Sequence, residues 1–163
     1  MWITSTAGPA ASLELSLNIK SFLSAEDVVA DYRAETKEQL LNELCARAAK
    51  AAQVDVQMVR GEILKREQLG CTGVGGGIAI PHARLQNLKK PFGSLVRLRK
   101  PIGYDAIDGD LVDIVFLLLL PTDSGGEQLN ALATVARKLR DQNTIDHVRK
   151  ASNGPAMYRE FIH

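Results

Sequence analysis

Leu111-Val-Asp-Ile-Val-Phe-Leu-Leu-Leu-Leu120 is nearly continuous Val, Ile, Leu and Phe, and Pro121 ends it. Such a run lacks the alternation of a strand with one wet face and reads as a strand buried on both faces. A strand covered on both faces needs helices on both sides of its sheet. The expected fold is therefore α/β, a single-domain three-layer α/β/α sandwich. At ten residues the run is also far too short to span a bilayer.

Upstream, Asp108-Gly109 marks a turn in a loop over 101–110, where glycine tolerates the left-handed conformation. Pro91 and Gly93 bracket the start of another strand, Ser94 to Arg99, and a shorter apolar strand is expected from Ile78 to Ala83. Before these lie two helical patterns. Thr36-Lys-Glu-Gln39 has capping-box form, and Leu40, Leu41, Leu44, Cys45, Ala48 and Ala49 follow at helical spacing. Asp55 is positioned to cap a second helix with Val56, Val59, Ile63 and Leu64 on one face, fading between Arg66 and Gly70. The short break between them predicts a packed pair. A first strand is expected within residues 26–31, whereas the alternation of Leu13, Leu15 and Leu17 is too brief to assign.

Downstream, Ser124-Gly-Gly-Glu127 offers a second capping box before a stripe of Leu129, Leu132, Ala133, Ala136 and Leu139. Thr144 is positioned to cap a short helix bearing Ile145 and Val148, with Asn153-Gly154 ending it and Pro155 opening a last turn. Residues 1–12 read as a flexible N-terminal arm and 13–163 as the domain.

Composition narrows the function. Twenty Lys and Arg against 19 Asp and Glu leave a formal net charge of +1, mixed along the chain, so no polybasic run argues for nucleic acid or an anionic membrane. The first basic residue is Lys20, which argues against a secretory signal. Cys45 and Cys71 lie far apart without metal-like partners and read as free thiols in a reducing, cytoplasmic compartment. No metal is expected, because neither histidines nor cysteines show ligand spacing.

Chemistry concentrates in Arg66-Glu-Gln-Leu-Gly-Cys-Thr-Gly-Val-Gly-Gly-Gly-Ile-Ala-Ile-Pro-His82-Ala-Arg84. Its glycines precede a strand rather than a helix, and no Gly-Lys-Ser/Thr follows, so neither nucleotide-binding fingerprint is present. The run is either a connector or a source of backbone N–H groups and space for a partner. Of three histidines, His163 is the last residue and His147 sits in a short amphipathic helix, where a surface role is the plainer reading. His82 follows a buried-looking strand, a rigid mount for an imidazole. Arg66 and Arg84 are natural anion contacts, since a guanidinium offers several planar donors and stays charged. A neutral imidazole is nucleophilic near pH 7, and phosphoryl transfer needs chiefly positioning and charge neutralisation. The segment thus fits a histidine that accepts and passes on a phosphoryl group.

These residues, with Pro101-Ile-Gly-Tyr-Asp-Ala-Ile-Asp-Gly-Asp110 and the strand after it, resemble the type-2 (fructose/mannitol-like) enzyme IIA domains of the bacterial phosphoenolpyruvate-dependent phosphotransferase system, most closely the nitrogen-regulatory branch. The likeness covers about residues 28–149. It implies a mixed central β-sheet, phosphorylation of His82 through Nε2, and a donor that is a nitrogen-type histidine-phosphocarrier protein charged by an enzyme I. It makes Arg66 the active-site arginine, with Arg84, Thr72 and Gln128 as phosphate contacts. No cofactor is implied. Cys71 stands where the family often has Ser, and Gly76 where Asn is frequent. Gln128 and Asn130 occupy the region in which many members carry a second active-site histidine. An amide can donate to phosphate but cannot supply a protonated imidazole.

The resemblance implies a regulatory phosphotransfer protein whose phosphorylation state controls an unknown target. The alternatives are a sugar-transport enzyme IIA passing phosphate to a IIB domain, and a binding-only regulator. The stand-alone chain, with no fused IIB or membrane segment, favours the first.

Overall fold

The computed structural model of the chain describes residues 18–123 and 126–163, with the backbone alone at 127–129. The arm over 1–12, the leucines at 13, 15 and 17, and Ser124 lie outside the described residues. Two 3-10 turns, Ile19–Ser21 and Ala25–Asp27, lead into strand β1, Val28–Tyr32. Helices α1 (Lys37–Ala52) and α2 (Val56–Leu69) follow as a packed pair. Strands β2 (Gly73–Gly75), β3 (Ile78–Ala79), β4 (His82–Leu85), β5 (Phe92–Ile102) and β6 (Val112–Pro121) complete the sheet. Helices α3 (Glu127–Arg140), α4 (Gln142–Lys150) and α5 (Gly154–Ile162) close the chain.

The sheet is mixed, in the order β1-β5-β6-β3-β2, with β4 continuing along the same side of β6 as β3. β5 and β6 pair antiparallel, whereas β1 on β5 and both β3 and β4 on β6 are parallel. β6 is the central strand that its apolar run predicts. Val115, Leu117 and Leu119 face a core built with Leu40, Leu41, Leu44, Val59 and Ile63 of α1 and α2. Ile114, Phe116, Leu118 and Leu120 face the opposite core, made with Ala131, Val135, Leu139, Ile145, Val148 and Phe161. Burying side chains on both faces stabilises β6 by roughly 1.5–3 kcal/mol for each large residue.

Local signals position α1 as expected. Thr36 accepts from the Gln39 amide at 3.1 Å, but the Gln39 side chain reaches the Glu35 N–H instead of that of Thr36, completing a capping box shifted by one residue. Asp55 caps α2. Leu64, expected on the buried face, is 39% exposed because Val59 and Ile63 define the line that meets the sheet.

Other boundaries move. The strand expected over 78–83 breaks at Ile80-Pro81, since proline has no N–H for the ladder. Along α3 the buried line is Ala131, Val135 and Leu139, while Ala133 is exposed, so the apolar face is rotated from the expected stripe. Gly126 stands at the N-cap of α3. Asp141, three residues before Thr144, caps α4, and the Thr144 hydroxyl donates to it at 3.0 Å. Asn153-Gly154 opens α5 instead of ending α4, because the Asn153 side chain caps the Ala156 N–H at 2.9 Å.

Candidate functional site

The parallel pairing of His82 with Leu118 places the start of β4 directly after the Ile80-Pro81 break. Arg66 comes from the last turn of α2, and Leu69 lies three residues beyond it. These elements enclose a cleft of about 470 Å³ lined by Glu62, Lys65, Arg66, Leu69, His82, Ala83, Arg84, Leu120 and Leu132. Apolar walls with several cations at the rim suit a small anionic group carried on a larger partner.

His82 is half-buried, and its Nδ1 lies 2.8 Å from the Ile80 carbonyl oxygen. A carbonyl can only accept, so Nδ1 carries the proton and Nε2 keeps the ring's free lone pair. Burial lowers the His82 pKa below the usual 6.5 by penalising the charged ring. The Ile80 bond opposes that shift, the Arg66 guanidinium adds to it, and the Glu67 carboxylate opposes it. The outcome is a neutral imidazole at pH 7 beside a permanent positive charge. Arg66 Nη1 donates to the Gly70 carbonyl at 2.8 Å, which steadies the guanidinium, and its other donors have no acceptor among the described residues.

The structure brings His82, Arg66 and Arg84 to one cleft. Arg84 is exposed, one residue past Ala83 on β4. Thr72 is not brought there. It is 3% exposed, and its hydroxyl meets Glu67 and, at 3.1 Å, the Tyr104 hydroxyl, away from the residues that line the cleft. Gln128 lies in the first turn of α3, four residues before Leu132 of the cleft wall, and its side chain lies outside the described residues. Lys65 and Glu62 are cleft residues that the pattern reading missed. Helical spacing back from Leu69 and Arg66 was the signal that could have found them.

The glycine run proves to be a hairpin. Gly76 and Gly77 have φ of +66° and +82°, the consecutive positive values that a two-residue primed turn between β2 and β3 requires. Gly73 is required by close approach, because a Cβ there would lie 2.8 Å from that of Ala106. Both cysteines are free thiols. The Cys45 thiol is pushed up to about 11 by burial, with nearby Arg60 acting in the opposite direction. Among the described residues no helix is long and apolar enough to cross a membrane.

Comparison with known proteins extends this picture. Residues 21–163 match the family model of the phosphoenolpyruvate-dependent sugar phosphotransferase system, EIIA 2. A nitrogen regulatory protein of Bradyrhizobium diazoefficiens is 41% identical over 140 residues, covering 86% of this chain and 92% of that protein. A nitrogen regulatory protein of Escherichia coli K12 is 35% identical over 147 residues, covering 90% of each. The crystal structure of nitrogen regulatory protein IIA-Ntr from Neisseria meningitidis superposes with a TM-score of 0.83 at 30% identity, covering 88% of this chain and 98% of that one. The mannitol IIA structure from Escherichia coli, at 20% identity and a TM-score of 0.70, shares the fold. A match over nearly the whole chain, on a sheet that mounts a neutral histidine beside an arginine, shows that this protein belongs to the EIIA type-2 family of the phosphoenolpyruvate-dependent sugar phosphotransferase system.

Proposed function

We propose that this phosphotransferase-system component accepts a phosphoryl group on Nε2 of His82 from a nitrogen-type histidine-phosphocarrier protein, and that the phosphorylated and free forms select different regulatory partners in the cytoplasm. The observation that carries the reading is the Nδ1–H bond to Ile80, which leaves Nε2 unprotonated in a cleft lined by Arg66 and Arg84. In the transfer, the Nε2 lone pair forms a new N–P bond while the N–P bond to the carrier's histidine breaks. The carrier nitrogen keeps the bonding pair. The His82 ring retains its Nδ1 proton and takes on positive charge, against which the Ile80 carbonyl is already placed. The guanidinium meets the transferring oxygens as their charge is redistributed.

A phosphoryl group carries nearly two negative charges and several strong acceptors at neutral pH, so its arrival largely cancels the positive charge of a cleft lined by Lys65, Arg66 and Arg84 with Glu62. Such a change is large enough to recruit or repel a partner. The 35–41% identity to nitrogen regulatory proteins favours this regulatory reading over sugar import.

The test incubates the protein with phosphoenolpyruvate, enzyme I and the carrier, and records intact masses without acid. One phosphoryl group on wild type and none on His82→Ala is expected. No adduct with a competent carrier would leave a contact-only regulator, and fast onward transfer to an added IIB domain would point to transport.

A further inference from the structure

Beneath the cleft lies a buried carboxylate that phosphoryl transfer does not itself require. The Glu67 side chain is 7% exposed. Its Oε2 pairs with Lys37 Nζ at 3.0 Å and accepts from the Thr72 N–H at 3.3 Å. Its Oε1 accepts from the Thr72 hydroxyl and, at 3.2 Å, from the Tyr104 hydroxyl. Lys37 also sits over the Tyr104 ring, 4.3 Å from its centroid. Burial, then the Glu67 charge, pushes the Tyr104 hydroxyl far above its ordinary pKa, so it remains a donor. A buried charge with four donors is fully satisfied and held rigidly.

This cluster is joined to His82 through one residue, Ile80. The Thr72 carbonyl accepts from the Ile80 N–H at 2.9 Å, and the Ile80 carbonyl accepts from His82 Nδ1–H at 2.8 Å. Thr72 thus touches Glu67 by its side chain and N–H and Ile80 by its carbonyl. Pro81 gives the break no N–H of its own, so the backbone here is held by the Ile80 bond to Thr72 and, one residue on, by the Leu118 N–H that donates to the Pro81 carbonyl at 2.9 Å.

We propose that Glu67, with Thr72 and Tyr104, is a positioning unit for His82, holding the backbone at Ile80 so that the imidazole stays in the Nδ1–H tautomer with Nε2 free. The inference rests on the phosphoryl-transfer reading for its purpose, but its geometry can be tested apart from it. Glu67 would act through Thr72 and Ile80 without touching phosphate. Such orienting partners commonly matter by about 10-fold to 100-fold in metal sites.

The experiment is nitrogen-15 NMR of the imidazole in histidine-labelled protein, unphosphorylated, combined with single-turnover transfer from the phosphorylated carrier. Wild type is expected to be almost wholly Nδ1–H. Glu67→Gln and Thr72→Val should admit the other tautomer and slow transfer by about 10-fold or more. Thr72→Ser, which keeps the hydroxyl, should restore both. Tyr104→Phe preserves the ring and removes one donor, so it remains informative if the harsher variants do not fold, and it should shift the tautomer in the same direction. A folded Tyr104→Phe with the wild-type tautomer ratio and transfer rate would overturn the proposal. A tautomer shift in a protein that takes no phosphoryl group at all would support the positioning unit while removing the transfer reading.

Discussion

Arg149 grips Asp113 with two parallel bonds, Nε to Oδ2 at 3.0 Å and Nη2 to Oδ1 at 2.9 Å, and the same Nη2 also donates to the Gly76 carbonyl at 2.7 Å. One guanidinium on α4 therefore ties the central strand β6 to the glycine hairpin. The side chains are 32% and 23% exposed, so water screens the pair only in part. A hairpin of glycines would otherwise be loose, and this pin holds the chain that leads to His82.

Arg149→Met should destabilise the protein by about 1–2 kcal/mol, the cost of lost charge-assisted bonds. It should also accelerate amide exchange at Asp113 and Ile114, whose N–H groups donate to the Gly77 carbonyl at 2.9 and 3.1 Å. Hydrogen exchange read by NMR checks this, and unchanged protection at both amides would show that the hairpin holds itself.

The lowered His82 pKa has a definite sign. Transfer needs the neutral ring, so the rate should stay level down to pH 6.5 and fall only as pH drops through the folded value below it. Stability follows the same direction. The unfolded chain takes up this proton near pH 6.5, about the reference value, and the folded chain only at lower pH. The His82 contribution to stability is thus complete above about pH 6.5 and erodes as pH falls toward the folded value. Titration of the His82 ring proton by NMR checks the direction, and a midpoint at or above 6.5 would contradict it.

Arg66→Met should slow transfer from the carrier by roughly 100-fold or more, the scale on which a single preorganised donor to developing charge acts. Arg66→Lys should fall between the two, because an ammonium keeps the charge and loses the planar fork. The same Arg66→Met change should raise the His82 pKa, since it removes a cation that lowers it. Rapid-quench kinetics and NMR titration on one preparation separate these effects.

Gln128→His places an imidazole in the region where the family resemblance implies a second active-site histidine, and should change the transfer rate or the lifetime of the phosphohistidine. Both are measured by following the phosphorylated mass over time. Equal rates and lifetimes in the two proteins would show that position 128 takes no part.

Gly154→Ala should destabilise by about 1–3 kcal/mol even though alanine is the better helix former. The added Cβ would lie 2.5 Å from the Val28 carbonyl oxygen, a backbone atom of β1 that cannot swing aside. For a chain of this length each kcal/mol corresponds to roughly 2–4 °C in melting temperature. A melting curve at or above that of wild type would mean that α5 moves away from β1 at little cost.

Where one rule dominated, the elements were readable. The β6 run predicted a strand with helices on both sides, because nothing but a central strand can bury both faces of so many apolar side chains. Thr36 and Asp55 predicted helix starts, because capping is decided within four residues. Boundaries that depend on competition were not readable in the same way. Asp141 outcompetes Thr144 as the cap of α4, and Asn153 serves as a start when it could have served as a stop. The face of α3 turns on which line of residues meets β6, and that contact joins segments distant in sequence.

The candidate site divides along the same line. Sequence alone determined the α/β/α layering, the family resemblance and the prominence of His82, Arg66 and Arg84, because apolar periodicity and a long local motif carry that information within one stretch of chain. Only the tertiary structure decided that Thr72 turns inward to Glu67 and Tyr104, that the glycines form a pinned hairpin, and that Nδ1 rather than Nε2 holds the proton. Tyr104 is 32 residues from Thr72 and Arg149 is 73 from Gly76, while the tautomer turns on the direction of a single carbonyl, and hydrogen bonds are satisfied in space, without regard to distance along the chain.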